Sequence, residues 1–152
     1  MKKILTYIIY FGMVSPLFAQ YTAKVTEGKS YADLDVKISD NVHSEDLGVE
    51  ISYNVHSEDF TVGFTNSKSK ADVIISDSYS ADFEVNIKSS YADIDIEASD
   101  NVHSEDIGIE IRKSGTVDYL VYSDIYSDID MLSTEILVCA LLPIINLHLD
   151  ED

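Results

Sequence analysis

The chain reads as an all-β protein: a tandem row of short strands, one about every 12–13 residues, followed by a short C-terminal helix. Three observations carry that reading. An aspartate followed by an apolar residue recurs at Asp33, Asp46, Asp59, Asp72, Asp82, Asp93, Asp106, Asp118 and Asp128, in steps of 10 to 13 residues. The residue after each (Leu34, Leu47, Phe60, Val73, Phe83, Ile94, Ile107, Tyr119, Ile129) is apolar, and so is the residue two places further on (Val36, Val49, Val62, Ile75, Val85, Ile96, Ile109, Val121, Met131). Finally, residues 30–51 match residues 90–111 at 16 of 22 positions, an offset of 60 that records an internal duplication.

Alternation at period two is the mark of a half-buried strand. In ADLDVKI, the side chains of Leu34, Val36 and Ile38 share one face, while Asp33, Asp35 and Lys37 share the other. A helix would scatter the same residues around its axis. The connecting pieces ISDN, TNSKS, SDSYS and RKSG are rich in residues that favour turns.

The two ends of the chain depart from this rhythm. Lys2 and Lys3, an apolar run from Ile4 to Phe18, and Ala19 before a cut at Gln20 form the order of a bacterial export signal. Gly12, Ser15 and Pro16 interrupt the run, which is short for a membrane anchor. Residues 1–19 are therefore expected to be removed, and the remainder to be exported to the periplasm, the cell surface or the medium. Residues 20–132 form the expected β-repeat domain. Residues 133–152 form an apolar C-terminal segment with an acidic tail. Ser133 is placed to cap a helix, with Leu132 and Leu137 as a hydrophobic staple, and Pro143 is expected to stop it within about ten residues. The segment is too short to span a membrane, and is expected to act as a lid or plug over an open edge or end of the sheet.

The charge balance limits the partners. Ten Lys and Arg stand against 28 Asp and Glu, a formal net charge of −18. Such a surface repels nucleic acid and anionic lipid, because phosphate contacts require basic side chains. Proteins with basic surfaces, or weakly held cations, are the partners it admits. Cys139 is the single cysteine, so no disulfide forms within the chain.

The stretch SDNVHSED, found at 39–46 and again at 99–106 with the shorter YNVHSED at 53–59, holds residue types used in catalysis. His43, His56 and His103 occupy one place in their units, near Glu45, Glu58 and Glu105, and are the candidate zinc ligands. No unit has a two-ligand metal spacing, however. Ser44 and His43 are neighbours on an extended chain and point to opposite faces, which disfavours a Ser–His–acid triad. A motif repeated this often reads as a corner of the architecture. The groups Asp33/Asp35, Asp93/Asp95/Glu97 and Asp128/Asp130 set carboxylates on one strand face, where Ca²⁺ is conceivable, but no glycine-bearing calcium loop accompanies them. They read as a solvated face. Tyr31, Tyr53, Tyr79, Tyr91, Tyr122 and Tyr126 recur near unit starts, either as ring stacks that seal corners or as a strip that binds sugar or protein.

The units SYADLDV, SKADVII, SYSADFEV and SSYADIDI resemble the septoil knot domain family, over roughly residues 28–131. The resemblance implies an all-β domain whose backbone closes into a seven-crossing torus knot, with no assigned activity. Glu replaces Ala before the aspartate at Glu45, Glu58 and Glu105, and the units at Asp118 and Asp128 are degraded. The functional expectation is a secreted, rigid β-repeat module with a structural or binding role, no catalysis and no cofactor. The alternative is a divalent-cation-binding surface protein that uses the repeated Asp/Glu or His faces.

Overall fold

A computed structural model describes residues 20–29, 31–40, 45–102 and 105–149; the expected leader, residues 1–19, lies outside them. Among the described residues, nine strands form: β1 (Tyr21–Glu27), β2 (Leu34–Ser39), β3 (Leu47–Ser52), β4 (Phe60–Phe64), β5 (Val73–Ile75), β6 (Phe83–Ile87), β7 (Ile94–Ser99), β8 (Ile107–Ile111) and β9 (Tyr119–Ser123). From β2 to β9, every strand begins on the residue that follows a repeat aspartate.

Two expectations about the row are corrected. Asp128 starts no strand: Ile129–Met131 is a 3₁₀ turn, and the Asp128 carboxylate turns back to accept from the Asp130 N–H of its own chain at 3.2 Å. Met131, expected on the apolar face, is 59% exposed. Conversely, β1 precedes the first repeat aspartate. No acidic residue marks it, and Gln20 stands at its start, donating through Nε2 to the carbonyls of Lys68 and Ala71.

The strands close into a barrel in the order β1-β5-β9-β4-β8-β3-β7-β2-β6, and every neighbouring pair is parallel. Strands consecutive in sequence lie two places apart, so the chain circles the barrel twice and the second circuit fills the gaps left by the first. The duplication follows from this arrangement: β2 and β3 of the first copy pair directly with β7 and β8 of the second. At eight of the nine seams the neighbour is displaced by two residues, as where Val36 faces Ile94 and Ile96 faces Leu47.

The alternating apolar residues point inward. Val36, Val49, Val62, Val85, Ile96, Ile109 and Val121 are fully buried. A ring of nine steeply staggered strands is wider than the eight-stranded barrels that side chains alone can fill. The remaining space is taken by α1 (Thr134–Leu149). Its residues Leu137–Leu142 and Ile144–Asn146 are buried on every side of the helix, and it packs against β1, β2, β5, β7 and β8, which are spread around the ring. A helix apolar all round belongs in an interior.

The helix departs from expectation at Pro143, which does not end it; α1 runs six residues further, to Leu149. Proline removes one backbone donor and crowds the preceding turn. Here the Tyr21 hydroxyl, reaching in from β1, donates to the Ala140 carbonyl of that turn at 2.7 Å, and the barrel wall holds both halves in line. Ser133 caps the start as expected, its Oγ accepting from the Ile136 N–H. The barrel has no open edge, so α1 is a central plug and not an edge cover.

Candidate binding surface

The repeat aspartates are spent on the barrel itself. Asp46 donates its N–H to the carbonyl of Asp95 on β7, and its carboxylate accepts the N–H of the same residue, at 2.8 and 3.0 Å. The identical two-point clasp joins Asp33 to Glu84, Asp59 to Gly108, Asp72 to Leu120, Asp82 to Thr22, Asp93 to Asp35, Asp106 to Gly48 and Asp118 to Thr61. A carboxylate oxygen stands where the next backbone carbonyl of the ladder would be, and a charge-assisted bond of this kind is stronger than the one it replaces. Each aspartate meets the second residue of its neighbour strand, which produces the two-residue stagger. Asp is required because its side chain is short, acceptor-only and local to the backbone.

Among the described residues, connections form an outer layer and pass over the strand that lies between the two they join. The connection 53–59 passes over β8, where a Cβ on Gly108 would fall on the Ser57 carbonyl oxygen. The connection 112–118 passes over β4, where a Cβ on Gly63 would lie 3.2 Å from both Val117 methyls. Over β6, Asn86 clamps the backbone of Lys29, accepting its N–H and donating to its carbonyl, each at 2.9 Å. Asn86 is fully buried and was not marked by sequence reasoning; a lone amide on the outward face of FEVNI is the signal that could have found it.

These crossings explain the repeated SDNVHSED. Val55 and Val102 are buried, so in these two copies the apolar residue of the motif tucks beneath its own connection. His56 is exposed; His43 and His103 lie outside the described residues, as does Ser44. Among the described residues no three His, Cys, Asp or Glu side chains converge where a metal ion could sit. The carboxylates of Asp33 and Asp93 are held by backbone donors, and Asp130 is held by Lys113 and Tyr53. Asp35 accepts from Lys88 and Asn86; partial burial alone would raise its pKa, but these donors outweigh it and the carboxyl falls below its ordinary value. Asp40, Asp100 and Glu135 line a cleft where β2, β3 and β7 end beside the start of α1. Cys139 is enclosed by the barrel, and burial pushes its thiol far up, away from the reactive thiolate.

No protein-family model, curated protein or solved structure matches the chain. Among the described residues no helix is long and apolar enough to cross a membrane.

What the outer layer does present is tyrosine. Tyr31, Tyr79 and Tyr91 are 89%, 102% and 97% exposed. Tyr79 rides on the connection over β1, Tyr31 on that over β6 and Tyr91 on that over β2, and β1, β6 and β2 are contiguous in the barrel. Of the six tyrosines singled out by their recurrence, these three therefore form one arc; Tyr53 stands elsewhere, bonded to Asp130, and Tyr122 and Tyr126 are half-buried. Tyr91 has φ of 43°, a left-handed conformation that costs a non-glycine residue about 1–2 kcal/mol.

Proposed function

We propose that the protein is an exported, rigid, non-enzymatic β module of the septoil knot type, acting outside the cytoplasm as a structural or binding unit. The observation that carries this reading is the fate of the repeat aspartates: the most frequent chemistry-bearing residue of the sequence closes strand seams at eight positions. The knotted path is supported by the double circuit of the barrel, by connections that cross the outside of intervening strands, and by a C-terminal helix enclosed at the centre. True knots are otherwise essentially absent from proteins. Cleavage after Ala19 would leave β1 one residue from the new terminus, ready to enter the sheet. The cation-binding alternative draws on the net charge of −18 and on the repeated Asp and Glu positions of the sequence.

Pulling the chain by its ends tests the knot. A torus-knotted chain stops short of its full contour length by the residues trapped in the tightened knot, whereas extension to the whole length excludes it. Thermal melting with micromolar Ca²⁺ or Zn²⁺ separates the two functional readings, since a ion that prefers the native state raises the midpoint. An unmoved midpoint eliminates the cation alternative.

A further inference from the structure

We infer that the arc of Tyr31, Tyr79 and Tyr91 is a docking surface for an extended lysine-rich segment of a partner protein, an inference that rests on the binding-module reading above. Exposed tyrosines are amphipathic anchors, and three on adjoining connections exceed what a solvated corner needs. Tyr91 holds its ring in solvent from a left-handed backbone, so neither burial nor a relaxed turn explains its place.

The chemistry of the partner follows from two internal contacts and from charge. The Lys24 ammonium lies 4.8 Å from the centre of the Tyr79 ring, and Lys113 lies 5.0 Å from that of Tyr53. One tyrosine of the arc, Tyr79, thus already receives a lysine cation from the chain itself, as Tyr53 does elsewhere on the molecule. Each arc tyrosine is followed within three residues by a carboxylate, Asp33, Asp82 or Asp93, and the whole molecule carries −18. Such a field draws a basic partner and repels an acidic one.

Spacing agrees with an extended ligand. Tyr31 and Tyr91 hold the same place in units whose strands, β2 and β7, are neighbours displaced by two residues. The two tyrosines thus stand on adjoining connections along the arc, a row that an extended segment can follow.

The test is fluorescence anisotropy of a labelled decapeptide of alternating lysine and glycine, titrated with the full chain at low and at physiological salt. A serine–glycine peptide and a chito-oligosaccharide serve as comparison ligands. The wild-type protein is expected to bind the lysine peptide, and a Tyr31→Ser/Tyr79→Ser/Tyr91→Ser variant at least tenfold more weakly at the same salt. The variant keeps every charge and every buried residue, so its unchanged melting midpoint verifies folding. Equal binding by the variant overturns the inference, because net charge alone then suffices. Binding of the oligosaccharide but not of the lysine peptide also overturns it while leaving a binding module standing. Binding of none of the three ligands removes the docking surface and leaves only the structural role.

Discussion

Asp46 and Asp95 face each other across the β3–β7 seam, the N–H of each donating to the other: one to a backbone carbonyl at 2.8 Å, the other to a carboxylate oxygen at 3.0 Å. Asp46 thus gives the first rung of the ladder its donor from the backbone and its acceptor from the side chain. Replacing it tests whether register depends on that oxygen. Asp46→Ala leaves the Asp95 N–H without its acceptor and is expected to cost about 1–3 kcal/mol in chemical denaturation. Asp46→Asn keeps an acceptor of the same reach and should lose less. Equal losses would mean that the carboxylate merely fills space.

Gly108 lies directly beneath the connection 53–59. Gly108→Ala forces its methyl onto the Ser57 carbonyl, a backbone atom that cannot step aside, and overpacking of this kind costs about 1–3 kcal/mol. Gly63→Ala meets the two Val117 methyls at 3.2 Å, which can rotate, and the Arg112 carbonyl oxygen no closer than 3.4 Å, so its loss is expected to be smaller. Comparing the two melting midpoints measures how tightly each connection is pressed to the wall.

The plug is tested from inside. Leu141 and Leu142 are fully buried within the ring, and truncating either to alanine is expected to cost about 2–5 kcal/mol by leaving a cavity. Glu135→Gln, at the exposed start of the same helix, should change stability little. If the leucine variants melt like the wild type, α1 is not the centre of the core.

Acid titration reports on Asp35. Its folded pKa lies below the ordinary carboxylate value of about 4, because the Lys88 and Asn86 donors outweigh the desolvation that would raise it. A depressed carboxylate contributes stability that is present above the unfolded pKa and lost as pH falls through the folded one. Wild-type stability should therefore decline as pH is lowered from about 5 toward 2, with part of the decline absent in Asp35→Asn. Melting curves at pH 7 and pH 3 for both proteins provide the comparison; parallel declines would show that Asp35 contributes nothing.

Tyr91 offers a gain. Tyr91→Gly removes the side-chain clash of a left-handed φ of 43° and is expected to raise the melting midpoint by a few degrees. The same change should weaken binding of the lysine peptide if the ring is part of the docking arc.

Much of the wall was legible in the residues, because local rules wrote it. The period-two run Leu34, Val36, Ile38 and its counterparts could bury one face only as strands, and the aspartates marked eight strand starts to the residue. The Asp128 unit failed because its carboxylate had a nearer donor in Asp130, a competition within a few residues that spacing does not resolve. The strand β1 carries no mark of the repeat because Gln20 stands in place of aspartate at its start. Pro143 reads locally as a helix stop, and the surrounding wall and the Tyr21 hydroxyl override that local preference. The tyrosine recurrence was visible, but not which three share a face, since Tyr31, Tyr79 and Tyr91 come together only through the order of β1, β6 and β2.

By itself the sequence determined that short pleated segments would alternate with polar turns, that each would present aliphatic side chains to one side, and that the surface would be acidic. It did so because alternation, turn preference and charge act over a handful of residues. Only the tertiary structure decided that the segments close as a twofold-wound parallel ring around a helix, that Asn86 and Gly108 lie under crossing chain, and which tyrosines stand together. Those outcomes depend on pairing residues some 50 to 60 positions apart, as Asp46 with Asp95 and Val36 with Ile94, and on how wide a ring nine such pairings enclose.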